Sequence, residues 1–374
     1  MVIVHIVEPF ASGIAVFVRS LVEVMPDDTH IVVHGERREE IKAEEVKKKF
    51  PRNNVRFIRW SNARRSINPV RDFIALTELY HILRRLKKSQ LVDAVHLHSS
   101  KSGLLGRIAC RLAGIKNVFY TPNGAPFLSA RNPFTRFVYT LAEKCGHLIG
   151  GKVVCCSVSE LNEYLKRGIR ASYVNNGITI NNPRPAIKYK DKSRFRIVTS
   201  GRIEKQKNPR LFNTIASYFQ GMDQFEFIWI GDGKHKDVFT SENIRVTGWL
   251  DHREVHDFVS TSDLYISTSK YEGLSFAVLE ALSLKKPVLL SNCTGNTDIV
   301  KKGINGDLFD KADEAISKIL HYYNNRAMLD VMGNYSAEIC QTEFNLKENY
   351  KAYRELYEGS VPANGSVRAI WSFG

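Results

Sequence analysis

The chain has 374 residues, of which 43% are hydrophobic and 25% charged, and its formal net charge is +15. This length favours two domains, and the composition is that of a globular protein with enough apolar surface for two cores. No apolar run approaches the roughly 18 residues that a membrane span requires. The six cysteines lack zinc-type spacing, and the N-terminus lacks the positive segment of a secretory signal. We therefore expect a protein of the reducing cytoplasm.

The first part of the chain alternates strand-like and helix-like segments. Strand candidates are residues 2–7, 30–34, 55–60, 94–98, 117–121, 153–158 and 172–176. Repeated βα units predict a parallel sheet that is covered on both faces. We assign this first α/β domain to residues 1–180.

A polar, proline-containing segment without periodicity follows, and it predicts a linker over 181–194. The alternation then restarts, with strand candidates at 194–201, 225–233, 243–249, 263–269 and 287–291. We expect a second doubly wound α/β domain over 195–344, a last helix over 345–358 and a patternless tail over 359–374.

Helix signals lie between the strands. Apolar residues recur every three or four positions over 72–88, with Arg and Lys on the opposite side. Three helix starts carry capping signatures: Ser157 with Glu160, Asp251 with Glu254, and Asn208 before Pro209.

The excess of positive charge is partly local. Residues 36–90 contain sixteen Lys or Arg and seven Asp or Glu. Such a surface suits an anionic membrane, a lipid diphosphate or a phosphorylated substrate. No recognisable nucleic-acid module accompanies it, so we expect no nucleic-acid partner. A solvated basic face explains the same charge, and the two interpretations stay open.

The residues suited to chemistry follow strands, where doubly wound sheets bind their ligands. In KYEGLSFAVLEALS, Glu272 and Glu280 bracket a turn that opens an apolar helix. Backbone N–H groups of Gly273, Leu274 and Ser275 would meet an anion there, and the carboxylates would bind hydroxyls of a sugar attached to it. A solvated carboxylate is the alternative for Glu280, although its apolar neighbours predict a largely buried helix.

Arg202 and Lys207 follow the strand candidate 194–201 and offer a planar fork and a point charge to a diphosphate. Surface charge in a basic protein is the alternative. The GDG of residues 231–233 does not match the G-x-G-x-x-G pattern of dinucleotide-binding loops, so we interpret it as a turn near the site. Gly13, after the first strand, permits close approach of backbone to a ligand, although an ordinary turn glycine fits equally.

Taken in chain order, Arg202 and Lys207 after a strand, the GDG turn, and Glu272 to Glu280 resemble the motifs of the retaining glycosyltransferases of family 4, which have the GT-B fold. The resemblance covers residues 1–358, and the stretch 96–114 is similar to the acceptor domain of members that build bacterial surface polysaccharides. It implies two doubly wound Rossmann-like domains that face each other across a cleft, with a C-terminal helix that crosses back to the first domain. The first domain would bind the acceptor and the second the donor. The family requires neither a metal nor a cofactor, because the nucleotide-sugar is a substrate.

Carried onto this chain, the resemblance implies catalytic roles for Arg202, Lys207 and Glu272. Arg202 and Lys207 would hold the donor diphosphate and stabilise its charge as it leaves. Glu280 would bind the nucleotide ribose. Glu272 and the backbone of residues 273–275 would contact the donor sugar and phosphate.

In the first domain, the resemblance implies that Gly13 lies against the donor diphosphate. We place the acceptor side at four residues: His98, Ser100, Lys101 and Asn123. Many members have His where this chain has Asn123, which can hydrogen-bond a sugar hydroxyl but cannot act as an acid or base. A turn residue before Gly124 is the alternative. His96 and His98 share one face of a strand, but no third metal ligand is evident, so we expect no metal site.

The sequence therefore predicts a metal-independent, retaining hexosyltransferase. Its donor would be a nucleotide-sugar, UDP-linked, and its acceptor a saccharide or a polyprenyl-diphosphate-linked saccharide. We expect it in the cytoplasm, peripheral at the inner face of the membrane. Two alternatives remain: a nucleotide-sugar epimerase of the same fold, which would need no acceptor, and a non-catalytic donor-binding subunit, which Asn123 motivates.

Overall fold

The computed structural model describes residues 1–35, 43–51, 53–64, 66, 68–89, 92–130, 132–179 and 194–359. The chain divides into two compact units. Unit 1 comprises Met1–Asn176 together with the segment from Leu346, and unit 2 comprises Gly177–Asn345. The predicted linker and tail lie outside the described residues, apart from Arg194 and Gly359.

Unit 1 contains a parallel sheet, as predicted. Its strands are β1 (Val2–Val7), β2 (Thr29–His34), β3 (Val55–Arg59), β4 (Ala94–His98), β5 (Val118–Thr121), β6 (Lys152–Cys155) and β7 (Ala171–Tyr173). They are ordered β3-β2-β1-β4-β5-β6-β7. The helices are α1 (Ser12–Val24), α2 (Ala43–Lys47), α3 (Pro69–Ser89), α4 (Ser100–Leu112), α5 (Pro133–Ile149) and α6 (Val158–Leu165).

Helices cover both faces of this sheet. Successive side chains of a strand point to opposite faces, so a single strand contacts both helical layers. On β4, Val95 and Leu97 belong to the hydrophobic core that contains Leu79 and Leu83 of α3. His96 and His98 of the same strand point the other way, and their rings pack against Phe17 of α1. The sheet thus lies between two helical layers.

Unit 2 contains a second parallel sheet. Its strands are β8 (Phe195–Ser200), β9 (Phe225–Ile230), β10 (Ile244–Val246), β11 (Leu264–Ser267), β12 (Val288–Ser291) and β13 (Gly306–Phe309), in the order β10-β9-β8-β11-β12-β13. The helices are α7 (Pro209–Tyr218), α8 (His252–Ser260), α9 (Phe276–Ser283), α10 (Ala312–Asn324) and α11 (Ala327–Glu343). The prediction of two α/β domains with parallel sheets is confirmed.

The helix starts differ in how they are capped. Asp251 and Glu254 form the predicted capping box, each side chain accepting from the other residue's N–H at 2.9 Å. Ser157 accepts from the N–H of Glu160 at 3.2 Å, so the strand predicted over 153–158 ends at Cys155. Asn208 precedes α7 as predicted, but its backbone is left-handed (φ 51°) and its side chain makes no capping hydrogen bond.

The last helix, α12 (Leu346–Glu358), belongs to unit 1. It packs against α1 and buries Tyr350, Tyr353 and Tyr357. The Tyr357 hydroxyl lies 2.6 Å from Nδ1 of His96, and its carbonyl accepts from Nδ2 of Asn117 at 2.8 Å. The chain therefore returns to its first unit after it has completed the second. No described helix is both long and apolar enough to cross a bilayer.

Candidate functional site

The candidate donor site lies at the carboxyl edge of the sheet in unit 2. Strands β8 and β11 are neighbours there, although the chain continues from β8 to β9 on one side and from β11 to β12 on the other. Such a reversal of strand order is where doubly wound sheets bind ligands. Lys207 lies in the loop after β8 and Glu272 in the loop after β11, so the structure brings these two predicted residues together.

Lys207 and Glu272 form an ion pair, with Nζ and Oε1 2.7 Å apart. Oγ of Ser269 donates to the same carboxylate oxygen at 2.6 Å, and Nε2 of Gln206 donates to the other oxygen at 3.3 Å. Glu272 is only 7% exposed. Three donors therefore fix the carboxylate in place.

The pair keeps Lys207 positively charged. Burial alone would lower the pKa of the Lys207 ammonium, but the Glu272 carboxylate, together with Tyr265 and Cys293, raises it, and the resulting pKa lies above its ordinary value. The side chain remains 22% exposed. Lys207 is thus a permanent cation that solvent, or an anion, can reach.

Backbone contacts join the two loops that carry the pair. Oγ1 of Thr268 donates to the Lys207 carbonyl at 2.8 Å, and the N–H of Lys270 donates to the Gln206 carbonyl at 2.8 Å. The relative position of cation and carboxylate is therefore set by main-chain hydrogen bonds and not by the side chains alone.

Two glycines allow the loops to approach. Gly201, at the end of β8, has φ +139°, and a Cβ there would lie 3.3 Å from Cε of Lys207. A Cβ on Gly231 would lie 2.3 Å from the Gly201 carbonyl oxygen. The GDG loop thus lies directly against the loop of Lys207, in agreement with a turn near the site.

The N-terminus of α9 completes this edge. The helix begins at Phe276 with Ser275 as its N-cap, and residues 273–275 are buried beside Glu272. The first N–H groups of any helix have no partner within the helix, and the helix dipole favours an anion at that end. The segment predicted to meet a phosphate therefore has the local geometry for it.

Arg202 and Glu280 are more open than Glu272. Arg202 forms an ion pair with Glu204 of its own loop at 2.8 Å. Glu280 lies 3.6 Å from Nε2 of His252, and its side chain is 36% exposed. Helix α9 is largely buried, as expected, because Val278, Leu279, Ala281 and Leu282 lie in the core. Glu280 itself is only partly buried.

The predicted acceptor loops lie at the carboxyl edge of unit 1. Ser100 begins α4, and Lys101 donates from Nζ to Oδ1 of Asp72 and to the Ser66 carbonyl, both at 2.6 Å. These bonds connect the start of α4 to the start of α3. Gly13 is exposed in the first turn of α1.

Asn123 occupies a tight turn after β5. Its backbone has φ 55°, and its Nδ2 donates to the Thr121 carbonyl at 3.3 Å. The following N–H, that of Gly124, donates to Oε1 of Glu160 at 2.8 Å. Glu160 therefore anchors the turn that presents Asn123.

His98 does not line a surface in unit 1. It is fully buried, with Nε2 3.2 Å from Nδ1 of His5. Nε2 of His5 in turn lies 2.9 Å from Nδ1 of His30. The placement of His98 among the acceptor-side residues therefore disagrees with the structure, which makes it part of an internal histidine cluster (His5, His30, His96 and His98).

The histidine cluster also contains a third imidazole that the sequence had not suggested as a metal ligand. Strand β1 pairs with β4 so that His5 lies opposite His96, and ligand atoms of His5, His96 and His98 lie within 4.8 Å of one another. Most of their ring nitrogens already have hydrogen-bond partners. The described contacts of these rings therefore form a hydrogen-bonded network.

Family models match the chain in two consecutive segments. Residues 11–182 match the model described as Glycosyltransferase Family 4, and residues 183–339 match the one described as Glycosyl transferases group 1. The chain is a group 1 glycosyltransferase of the GT-B class. The residues predicted for the donor and acceptor sides fall within these matched segments.

Curated relatives of this glycosyltransferase cover most of its length. It is 27% identical over 319 residues to the UDP-Gal:alpha-D-GlcNAc-diphosphoundecaprenol alpha-1,3-galactosyltransferase of Escherichia coli, covering 78% of this chain and 81% of that protein. It is 24% identical over 292 residues to the putative teichuronic acid biosynthesis glycosyltransferase TuaC of Bacillus subtilis strain 168, covering 74% and 73%.

Solved structures share the fold of this glycosyltransferase. Sucrose-phosphate synthase from Thermosynechococcus elongatus matches with a TM-score of 0.78 at 16% identity, covering 96% of this chain and 100% of that chain. HepE from Anabaena, solved with UDP and glucose, matches with a TM-score of 0.78 at 14% identity and the same coverage. At such identities the likeness establishes the fold alone.

Proposed function

We propose that this glycosyltransferase is a retaining, metal-independent hexosyltransferase. Its donor is a UDP-sugar, and its acceptor is a saccharide or a polyprenyl-diphosphate-linked saccharide used in surface polysaccharide synthesis. The observation that carries the proposal is the Lys207–Glu272 pair beside the N-terminus of α9. A cation, a helix N-terminus and a carboxylate at one edge suit the phosphate and the hydroxyls of a nucleotide-sugar.

The relatives support the choice of donor and acceptor. The Escherichia coli relative is named for UDP-Gal and for an acceptor linked to diphosphoundecaprenol. HepE, which shares the fold, was solved with UDP. The site residues Arg202, Lys207, Glu272 and Glu280 remain predictions for this chain.

In the proposed reaction, the bond between the sugar C1 and the UDP oxygen breaks, and a bond from C1 to an acceptor hydroxyl oxygen forms on the same face. The acceptor's proton passes to the departing diphosphate. Lys207 and Arg202 stabilise the negative charge that develops on the diphosphate. Glu272, held by Ser269 and Gln206, orients Lys207 and accepts hydrogen bonds from the donor sugar. Asn123 hydrogen-bonds the acceptor side and transfers no proton.

Metal independence follows from the same charges, because two protein cations can neutralise the leaving diphosphate. We expect turnover to be unchanged in excess EDTA. A loss of turnover that added Mg²⁺ or Mn²⁺ restores would contradict this part of the proposal.

The proposed location is the cytoplasm, at the inner face of a membrane. All six cysteines are free thiols, as expected in a reducing compartment. An acceptor with a polyprenyl tail would also hold the reaction at a membrane surface.

The function is tested first by binding. UDP and UDP-sugars should raise the Tm, because a ligand that binds the folded state stabilises it by mass action. Transfer from the best-binding UDP-sugar to a lipid-linked saccharide should then yield an α-linked product. Conversion of the donor without acceptor would indicate the epimerase instead. Donor binding without transfer to any acceptor would indicate a non-catalytic subunit.

A further inference from the structure

The apolar side of helix α5 faces solvent. A surface helix of a globular protein normally turns its apolar stripe to the core. In this 17-residue helix the two buried residues are Glu143 and Gly146. Oε1 of Glu143 accepts from the Tyr120 hydroxyl at 2.9 Å, and a Cβ on Gly146 would lie 2.2 Å from Nη1 of Arg107. The helix is therefore attached to unit 1 mainly through a polar and small-residue face.

The opposite side of α5 carries a continuous apolar stripe at spacings of three and four residues. We call it the α5 apolar face: Phe134, Phe137, Val138, Leu141, Cys145 and Leu148. Phe134 is 74% exposed, Phe137 64% and Leu148 84%. Scattered exposed apolar residues are ordinary, but a stripe along a whole helix indicates a surface with a partner.

The charges around the α5 apolar face are positive. Helices α3, α4 and α5 pack side by side and together contain ten Lys or Arg and three Asp or Glu. Two of these cations pair with acids, buried Arg107 with Glu143 and Lys101 with Asp72, and Glu78 accepts from backbone N–H groups, which leaves eight Lys or Arg. Lys144 is exposed beside the stripe. An apolar stripe with basic neighbours matches an anionic lipid surface.

The α5 apolar face adjoins the predicted acceptor loops. The chain leads from the turn of Asn123 to α5 through a short 3-10 helix, Pro126–Leu128. The start of α3, bonded to Lys101 through Asp72, also exposes Val70 and Phe73. Apolar side chains are therefore exposed at the starts of both α3 and α5, the helices that follow the loops of this edge of the sheet.

We propose that the α5 apolar face docks on an anionic membrane by inserting its apolar side chains at the lipid headgroup boundary. This inference rests on the proposed function, since a membrane-borne acceptor would then present its saccharide at the adjacent acceptor loops. Electrostatic attraction brings unit 1 to the membrane, and the two phenylalanines of the first turns supply the apolar contact.

The test is co-sedimentation with vesicles. The wild-type protein should bind phosphatidylglycerol vesicles, and bind pure phosphatidylcholine vesicles more weakly. In F134S/F137S the partition coefficient should fall about tenfold or more, because two apolar side chains no longer leave water. The matched control is V331S/Y335S, which changes two exposed apolar residues on α11 in unit 2 and should bind like the wild type.

Two outcomes would overturn the proposal: a wild type that does not bind phosphatidylglycerol vesicles, or an F134S/F137S variant that binds as well as the wild type. A wild-type dimer that becomes a monomer in the variant, without vesicle binding, would show that a second copy covers the face. The Tm increase with UDP is measured on every variant. It should be the same throughout, and its absence in the wild type would count against the donor assignment and not against docking.

Discussion

At the scale of single residues, Lys207 and Glu272 depend on each other. Burial lowers the pKa of the Lys207 ammonium, and Glu272 is the group that opposes this effect most strongly. Without Lys207, a nearly buried carboxylate would lack its cation. The pair is therefore both part of the candidate donor site and a condition for its stability.

Replacing Lys207 with alanine should lower turnover by about a hundredfold or more, because a positive charge aimed at the leaving diphosphate is lost. The free energy of unfolding should fall by about 1–3 kcal/mol, because Glu272 keeps its hydrogen bonds but loses its counter-ion. Turnover is measured with saturating donor, and stability by urea denaturation.

The control for Lys207 is K205A, which removes an exposed lysine from the same loop. It should retain turnover and stability within a small margin. If K207A and K205A behave alike, Lys207 has no role in the donor site.

Residue-scale prediction from the sequence worked where the motif is local. Glu272 and residues 273–275 are contiguous, so their place at the mouth of a helix could be predicted. His98 was misplaced because its neighbour His5 is 93 residues away in sequence. Only the register between β1 and β4 brings the two rings together, and no local pattern encodes that register.

At the scale of elements, α12 is held by buried polar contacts as well as by apolar packing. The Tyr357 hydroxyl bonds to His96, whose other ring nitrogen lies 2.8 Å from Oγ1 of Thr121. Helix and sheet therefore share one hydrogen-bonded network in the interior of unit 1.

The variant Y357F should lower the free energy of unfolding by about 1–3 kcal/mol, because it leaves a nitrogen of a fully buried imidazole unsatisfied. The matched control is Y218F, on an exposed tyrosine at the end of α7, which should change stability little. Equal stability of the two variants would mean that the hydroxyl does not help to dock α12.

Strands with long apolar runs, such as β8 and β9, could be predicted because both faces are buried. Strand β13 was not predicted, since its four residues include Gly306 and Asp307 and resemble a turn. The periodicity of α5 alone would favour a core-facing helix. Its reversed orientation depends on Glu143 meeting Arg107 and Tyr120, which is a tertiary contact.

At the scale of the whole molecule, the histidine cluster makes stability depend on pH. Burial lowers the pKa of His5, His96 and His98, in the case of His96 from 6.5 to about 3. Below pH 6.5 the imidazoles of the unfolded chain therefore bind protons, whereas those of the folded cluster do not. This contribution to stability is complete above pH 6.5 and is lost as the pH falls towards 3.

We expect the free energy of unfolding, measured by urea titration at several pH values, to fall steeply below pH 6.5. In H96Q the slope between pH 6 and 4 should decrease by about 1.4 kcal/mol per pH unit, the value for one proton. An unchanged slope would show that His96 does not contribute to the acid sensitivity.

The return of α12 to unit 1 also has a consequence for synthesis. A ribosome makes the chain from its N-terminus, so unit 2 is fully translated before Tyr350, Tyr353 and Tyr357 exist. The ends of unit 2 meet at Ile178, whose N–H bonds to the Phe344 carbonyl at 3.0 Å, so it can close on itself at that stage. The nascent first sheet meanwhile lacks the Tyr357 hydroxyl that bonds to His96. The domain that is translated first is thus the last to be completed.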